Sequence, residues 1–198
     1  MPIHYAPVPL HPIDTGTSYG RPALPTSRKI NKDSPALQVM TDLEKVVAVT
    51  TGPDVNIDTA NQQMMTSGVR LLLVTNKQDQ VIGLITANDI LGERPMKYLQ
   101  QTGGKHADIL VRHIMTPREQ LEALDIKDVA NARVGDVIAT LRNVGRQHAL
   151  VLSIIPDEAQ SICGIFSSTQ IGRQLGESIE ISDKAKTFAE IEAVLSKG

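Results

Sequence analysis

The stretch "GLITAND" at residues 83–89 has an altered copy in "GIFSSTQ" at 164–170. Each runs glycine, two apolar residues, a hydroxyl residue, two variable positions and a polar residue, which is Asp89 in the first copy and Gln170 in the second. The likeness extends outward. "VMTDLEKVVAV" (39–49) lies on "IMTPREQLEAL" (114–124), with Met40 on Met115, Thr41 on Thr116, Glu44 on Glu119 and Ala48 on Ala123. "TANQQMMTSGVRLLLV" (59–74) likewise lies on "DVIATLRNVGRQHALV" (136–151), and the largest insertion is the polar loop "IIPDEAQS" at 154–161. One structural unit is therefore used twice.

Within each unit the pattern predicts helix, strand, turn, strand, helix. Residues 59–67 and 135–144 carry helical apolar spacing and end at Gly68 and Gly145, residues suited to a helix C-terminus. "VRLLLV" and "HALVLSII" then read as strands, followed by "VIGLIT" and "SICGIFS", whose unbroken apolar character implies burial on both faces. Each second strand runs straight into a helix, "ANDILGE" or "STQIGRQLG", and Pro95 is expected to end or kink the first of these near Arg94. Cys163, inside "SICGIF", reads as a buried strand thiol.

The flanks differ in character. Six of the eleven prolines fall within residues 1–25, a composition that sustains neither helix nor inner strand and so reads as an extended arm. At the other end Ile181, Ala185, Phe188, Ile191 and Leu195 form an apolar stripe at helical spacing, with Ser182 or Asp183 placed to cap it. That stripe must pack on the body or on another subunit.

Composition narrows the function classes. The 198 residues are 41% hydrophobic, enough for a core, yet only 3% aromatic with no Trp, so the core is aliphatic and offers no stacking platform for bases. A net charge of -2 without a dense Lys/Arg run argues against DNA or RNA as the main partner. The longest apolar runs, such as "LLLV" at 71–74, are far too short to span a bilayer, and no signal-peptide pattern opens the chain. The expectation is a cytoplasmic protein without membrane insertion; a single cysteine is compatible with a reducing compartment.

A tandem repeat of this size, with Met115-Thr116-Pro117 opening a unit and Gly-apolar-apolar-Thr/Ser-x-x-Asp closing it, resembles the CBS-domain pair, or Bateman module. "DILVRHIMTP" followed by the repeat of "VIGLITANDIL" is specific as a combination, and the likeness covers roughly residues 38–176. The resemblance implies an α+β fold of two CBS units of β-α-β-β-α type, packed as a pseudo-symmetric pair, with the extended N-terminal arm and the C-terminal amphipathic helix appended. The expected organisation is an arm at 1–37, a first unit at 38–101, a second at 105–177 and a final helix at 178–198. The resemblance further implies clefts that take adenosine-containing ligands (AMP, ADP, ATP or S-adenosylmethionine), pairing into a homodimer through the CBS units, and regulation of a partner protein by what reads as a stand-alone module.

Two readings of the repeated motif compete. Thr86-x-x-Asp89 and Ser167-x-x-Gln170 each stand where a strand becomes a helix, in the arrangement of a capping box, and since Gln is a usual member of that box the second copy is expected to be the better cap. The functional reading places a nucleotide at the same point. Backbone N–H groups at the helix start and the Thr86 hydroxyl would face phosphate, with Asn88 beside them, and the all-acceptor carboxylate of Asp89 would take both vicinal hydroxyls of a ribose. Gln170 offers one acceptor oxygen, so Ser167, Gln170 and His148 are assigned to a possible second, degenerate site. The resemblance also brings Arg70 toward the phosphates and places Val47 and Val49, in an expected strand "KVVAV" (45–49), against the adenine ring. The first unit opens Met-Thr-Asp where Met-Thr-Pro is the family pattern, which bears on cleft shape.

Catalytic chemistry is missing from the pattern. The five histidines are scattered without metal-ligand spacing, and the chain holds no nucleophile elbow, P-loop or dinucleotide fingerprint. No metal and no catalytic residue are expected. A nucleotide-binding regulatory module and a non-binding scaffold for dimerisation or protein docking remain the two readings.

Overall fold

The computed structural model describes residues 30–156 and 159–181, with Pro12, Thr15 and Thr17. Apart from those three positions, the expected arm up to residue 29 lies outside the described residues; of the amphipathic helix expected at 178–198, residues 178–181 are described and are not helical, and the remainder lies outside.

Elements follow in the expected order. A 3-10 turn at Ala36–Val39 precedes β1 (Thr41–Asp42) and β2 (Thr50–Thr51), and then come α1 (Ile57–Ser67), β3 (Leu71–Thr75), β4 (Val81–Thr86) and α2 (Ala87–Leu91). After α3 (Arg94–Thr102) and α4 (Val111–Ile114), the second unit supplies β5 (Thr116–Pro117), β6 (Ala123–Asp125), α5 (Ile126–Asn131), α6 (Val134–Asn143), β7 (His148–Ser153), β8 (Ser161–Ser167) and α7 (Ser168–Leu175). Asn56 caps α1 by accepting from the Asp58 N–H, and Gly68, at φ 67°, turns its end back so that its N–H reaches the carbonyls of Met64 and Met65. Pro95 departs from expectation. The helix after Asp89 has already ended at Leu91, and Pro95 sits in the first turn of α3, where its missing N–H costs nothing.

The sheets show how the repeats are joined. One runs β2-β3-β4-β5 and the other β1-β8-β7-β6, so each takes an edge strand from the opposite repeat. Thr41 pairs opposite Ile165 on β8, and Thr116 opposite Leu84 on β4, both antiparallel. In space, therefore, the Met-Thr opening of each unit belongs to the other unit's sheet. This exchange explains the glycine that starts each repeated motif. A Cβ on Gly83 would stand 2.6 Å from the Thr116 carbonyl oxygen and 3.1 Å from the Met115 sulfur, and one on Gly164 would stand 2.4 Å from the Met40 sulfur. At Gly83, where the obstacle is backbone, only a residue without a side chain admits the crossing strand; at Gly164 the obstacle is the Met40 side chain.

Burial divides along the same lines. Leu72 and Val74 of β3 face α1 and α2 in a core with Ile57, Ala60, Met64, Ile85 and Ile90, which Ile109, Val111 and Ile114 enter from the second repeat. The second core gathers Val134, Ile138, Leu141, Val151, Phe166 and Ile171, entered by Ala36 from the end of the expected arm and by Val39 from the first repeat. The alternate residues Leu71 and Leu73 meet Leu150 between the two sheets. The apolar run of β3 is thus consumed on both faces, as period-two geometry requires.

Candidate functional site

At the start of α2 the capping box is complete. Thr86 N–H and Thr86 Oγ each donate to Asp89 Oδ2 at 2.8 Å, and Asp89 N–H donates back to Thr86 Oγ at 3.2 Å. The Thr86 hydroxyl proton is therefore spent on Asp89, and what Thr86 does is fix that carboxylate. The other oxygen, Oδ1, forms an ion pair with Arg94 Nε at 3.2 Å, and the Asp89 side chain is only 13% exposed. Arg94 in turn donates through Nη1 to the Ile114 carbonyl at 2.7 Å and to Thr116 Oγ at 3.1 Å. Arg70 Nη2 donates to Asn88 Oδ1 at 3.2 Å, so Asn88 steers a guanidinium.

These residues line one cleft of about 420 Å³ between the units, a volume within the range of small-molecule sites. The first unit contributes Arg70, Leu84, Thr86, Asn88, Asp89 and Arg94; the second adds Thr116, Gln120, Leu121 and Glu122 from the crossing segment and Arg146, Gln147, His148 and Leu150 from its body. Three guanidinium groups against two carboxylates make the cleft favour anions. With α2 only five residues long, the positive field comes from those side chains rather than from a helix end. His148 is held neutral: burial above all, and the nearby Arg70 cation next, push its pKa down to about 4, against a smaller opposing pull from Asp89.

Residues 36–95 match the family model described as CBS domain. The second unit repeats the first in topology and exchanges strands with it. The chain has the fold of a CBS-domain pair.

Solved structures of this fold agree. A conserved protein from Pyrococcus horikoshii superposes with a TM-score of 0.54 at 23% identity, over 77% of this chain and all of that one. A protein from Methanocaldococcus jannaschii, described there as a proposed archaeal homolog of g-AMPK, gives a TM-score of 0.51 at 20% identity over 70% of this chain and 49% of its own. CBSX2, whose structure is a complex with AMP, lies further off at a TM-score of 0.49 and 18% identity, covering 71% of this chain and 94% of its own. None of the curated proteins matches at the sequence level.

In this CBS pair the residues expected at the first site are only partly brought together. Arg70, Thr86, Asn88 and Asp89 meet in the cleft. Val47 and Val49 do not line it. Val47 is 95% exposed and Val49 packs on the first unit's outer core. The expected strand at 45–49 is absent because Asp42 bends the chain, its carboxylate accepting from Glu44 N–H and Lys45 Nζ, and pairing with β3 resumes only where Leu73 N–H reaches the Val49 carbonyl. The exchanged strands send residues 116–122 to the Asp89 cleft instead.

His148 also moves. It lines the Asp89 cleft and stands opposite Ser167 across the β7–β8 ladder, so it is not grouped with Gln170 in a second site. The second cap is the poorer one: Gln170 N–H reaches Ser167 Oγ at 3.5 Å, and no reciprocal bond is described. Cys163 is half-buried with its thiol pKa raised by that burial, in keeping with a strand residue.

Sequence reasoning missed Arg94, Arg146 and Glu122. Arg94 lies beyond the motif, at the point where Pro95 was expected to end or kink the helix after Asp89, and the other two reach the cleft only through the packing of one unit on the other. Among the described residues no cluster of His, Cys, Asp or Glu could hold a metal ion, and no helix is long and apolar enough to cross a membrane.

Proposed function

We propose that this CBS pair is a regulatory module that binds an adenosine-containing nucleotide, of the AMP, ADP, ATP or S-adenosylmethionine type, in the Asp89 cleft. The observation that carries this reading is the placement of one fixed carboxylate and three arginines on a single cleft between two units. Asp89 Oδ1 accepts from ribose hydroxyls, since Oδ2 is committed to the cap. Arg70, steered by Asn88, and Arg146 face the phosphates, and Leu84, Leu121 and Leu150 offer the base an apolar wall. Neutral His148 donates or accepts a hydrogen bond without adding charge. Because the lining comes from both units, a ligand preferring one packing of the units over another shifts that equilibrium, and a protein partner or the second copy in a homodimer senses the shift. In this reading the chain performs no catalysis and acts in the cytoplasm.

A scaffold reading has one observation in its favour: the Thr86–Asp89 capping box is complete without any ligand. A thermal-shift panel with AMP, ADP, ATP and S-adenosylmethionine, followed by calorimetric titration, decides between them. Ligand at a hundred times its Kd adds about 2.7 kcal/mol of stability, which raises Tm by several degrees. No shift with any of the four makes the scaffold the better account.

A further inference from the structure

Arg94 ties the candidate ligand group to the segment that joins the two repeats. Its Nε meets Asp89 Oδ1 at 3.2 Å, while Nη1 of the same rigid guanidinium meets the Ile114 carbonyl at 2.7 Å and Thr116 Oγ at 3.1 Å. Ile114 closes α4 inside the first unit's core, and Thr116 opens the exchanged strand β5, which is seated on Leu84 and Gly83. One planar cation therefore spans a carboxylate at the start of α2 and the two residues that set the crossing strand.

Acceptor counting shows what a ligand does to this arrangement. Asp89 Oδ2 already accepts two bonds from Thr86, and Oδ1 faces Arg94 Nε in an ion pair at 3.2 Å. Each carboxylate oxygen has two lone-pair directions, so a vicinal diol, which brings two donors, finds its acceptors on Oδ1. Two hydroxyls seated on Oδ1 take the space and the charge that the Arg94 guanidinium now holds, so the Arg94 Nε–Oδ1 contact must lengthen. Because the guanidinium is planar and stiff, withdrawing Nε also reorients Nη1, and the hold on residues 114–116 changes with it.

We infer that Arg94 is the positioning residue through which ribose occupancy at Asp89 is passed to the exchanged strand at residues 114–117. The inference rests on the nucleotide reading above and adds the route by which the second unit registers the ligand. The opposite end of the pair is built differently: Gln170 stands where Asp89 does in the repeat, and no arginine bonds it among the described contacts.

Hydrogen exchange on the full chain and on Arg94→Lys tests this. Lys keeps the charge in the cleft and lacks the fork that reaches both sides. AMP, ADP, ATP and S-adenosylmethionine are each titrated in, and residues 86–89 report binding while residues 114–116, which carry the coupling, report transmission. In the wild type a ligand that protects 86–89 is expected to raise exchange at 114–116 by about fivefold. In Arg94→Lys, with the same ligand raised to whatever concentration protects 86–89, exchange at 114–116 is already raised before it is added, and the ligand adds nothing more. A ligand increment at 114–116 that survives in Arg94→Lys overturns the inference and leaves Arg94 a structural tie, as does a wild type in which 86–89 respond and 114–116 do not. If no ligand protects 86–89 in the wild type, the nucleotide reading itself fails, and the inference falls with it.

Discussion

Gly83 lies so close beneath the carbonyl of Thr116 that a Cβ there would come within 2.6 Å of that oxygen. The contact is between backbones, and Thr116 is held in place by its pairing with Leu84. Gly83→Ala therefore has to push the exchanged strand off the sheet, and a loss of about 2–3 kcal/mol is expected. Gly164→Ala meets the Met40 side chain instead, whose thioether can swing away, so it should cost about 1 kcal/mol, and much less when it is made in a Met40→Ala background. Urea denaturation of these variants measures the difference.

The repeat, the order of elements and the two-faced strands were legible in the sequence because each depends on local chemistry. Gly68 ends α1 and the run at 71–74 alternates between two cores as period two demands. The exchange of edge strands was not legible, because Met40 and Met115 look the same whether they serve their own repeat or the other. That one fact moved the cleft wall from Val47 to Leu121 and Glu122. Thr86 and Asp89 were legible as a pair since three-residue spacing at a helix start forces them together; Arg94 and Arg146 were not, since only tertiary packing brings them near.

Val47→Asp tests that correction. With the side chain 95% exposed and outside the cleft, the change should alter stability by less than about 0.5 kcal/mol and leave nucleotide affinity unchanged within error. Glu122→Gln, which removes a negative charge from the cleft lining, should tighten binding of ATP more than that of AMP. Calorimetry on both variants checks the pair.

Asp89→Ala removes three things at once. The cap bonds to Thr86 vanish, at a cost of about 1 kcal/mol, and the ion pair with Arg94 and the acceptor for ribose vanish with them. Thr86→Ala loses the hydroxyl but keeps the carboxylate, its bond from the backbone N–H and the Arg94 pair, so it should be the more stable of the two and retain binding. Circular-dichroism melts beside titrations with ATP reveal the expected split: a lower Tm in Asp89→Ala, with binding abolished only there.

His148 gives the fold a pH dependence with a definite sign. Its pKa is about 4 in the folded chain against 6.5 for an unperturbed histidine, so between those values the unfolded chain binds the extra proton and the folded one does not. The stability from keeping His148 neutral is fully present above pH 6.5 and is lost as pH falls toward 4, by at most about 3 kcal/mol. His148→Leu, which copies the Leu71 found at the same place opposite Thr86 in the first unit, removes this term. Carboxylate titrations are common to both proteins, so the wild type should lose stability relative to His148→Leu between pH 6.5 and 4 in denaturant melts, and parallel curves would show that the ring is already solvated.

Stoichiometry follows from the pairing of equivalent residues. The Ala87 N–H binds the Arg70 carbonyl and the Ser168 N–H binds the Gln147 carbonyl, so Gln147 occupies the place of Arg70 in the second unit. By the strand ladders Leu71 stands where His148 does, and by the repeat Gln170 stands where Asp89 does. The end at Gln170 thus lacks the carboxylate, the cation and the imidazole together. One ligand per chain is expected by calorimetry. Gln170→Asp alone should leave that number at one, because a restored ribose acceptor without the Arg70 equivalent still has no partner for phosphate. A second event from Gln170→Asp by itself would mean that the carboxylate is enough and that the arginines of the first cleft do less than their charge suggests.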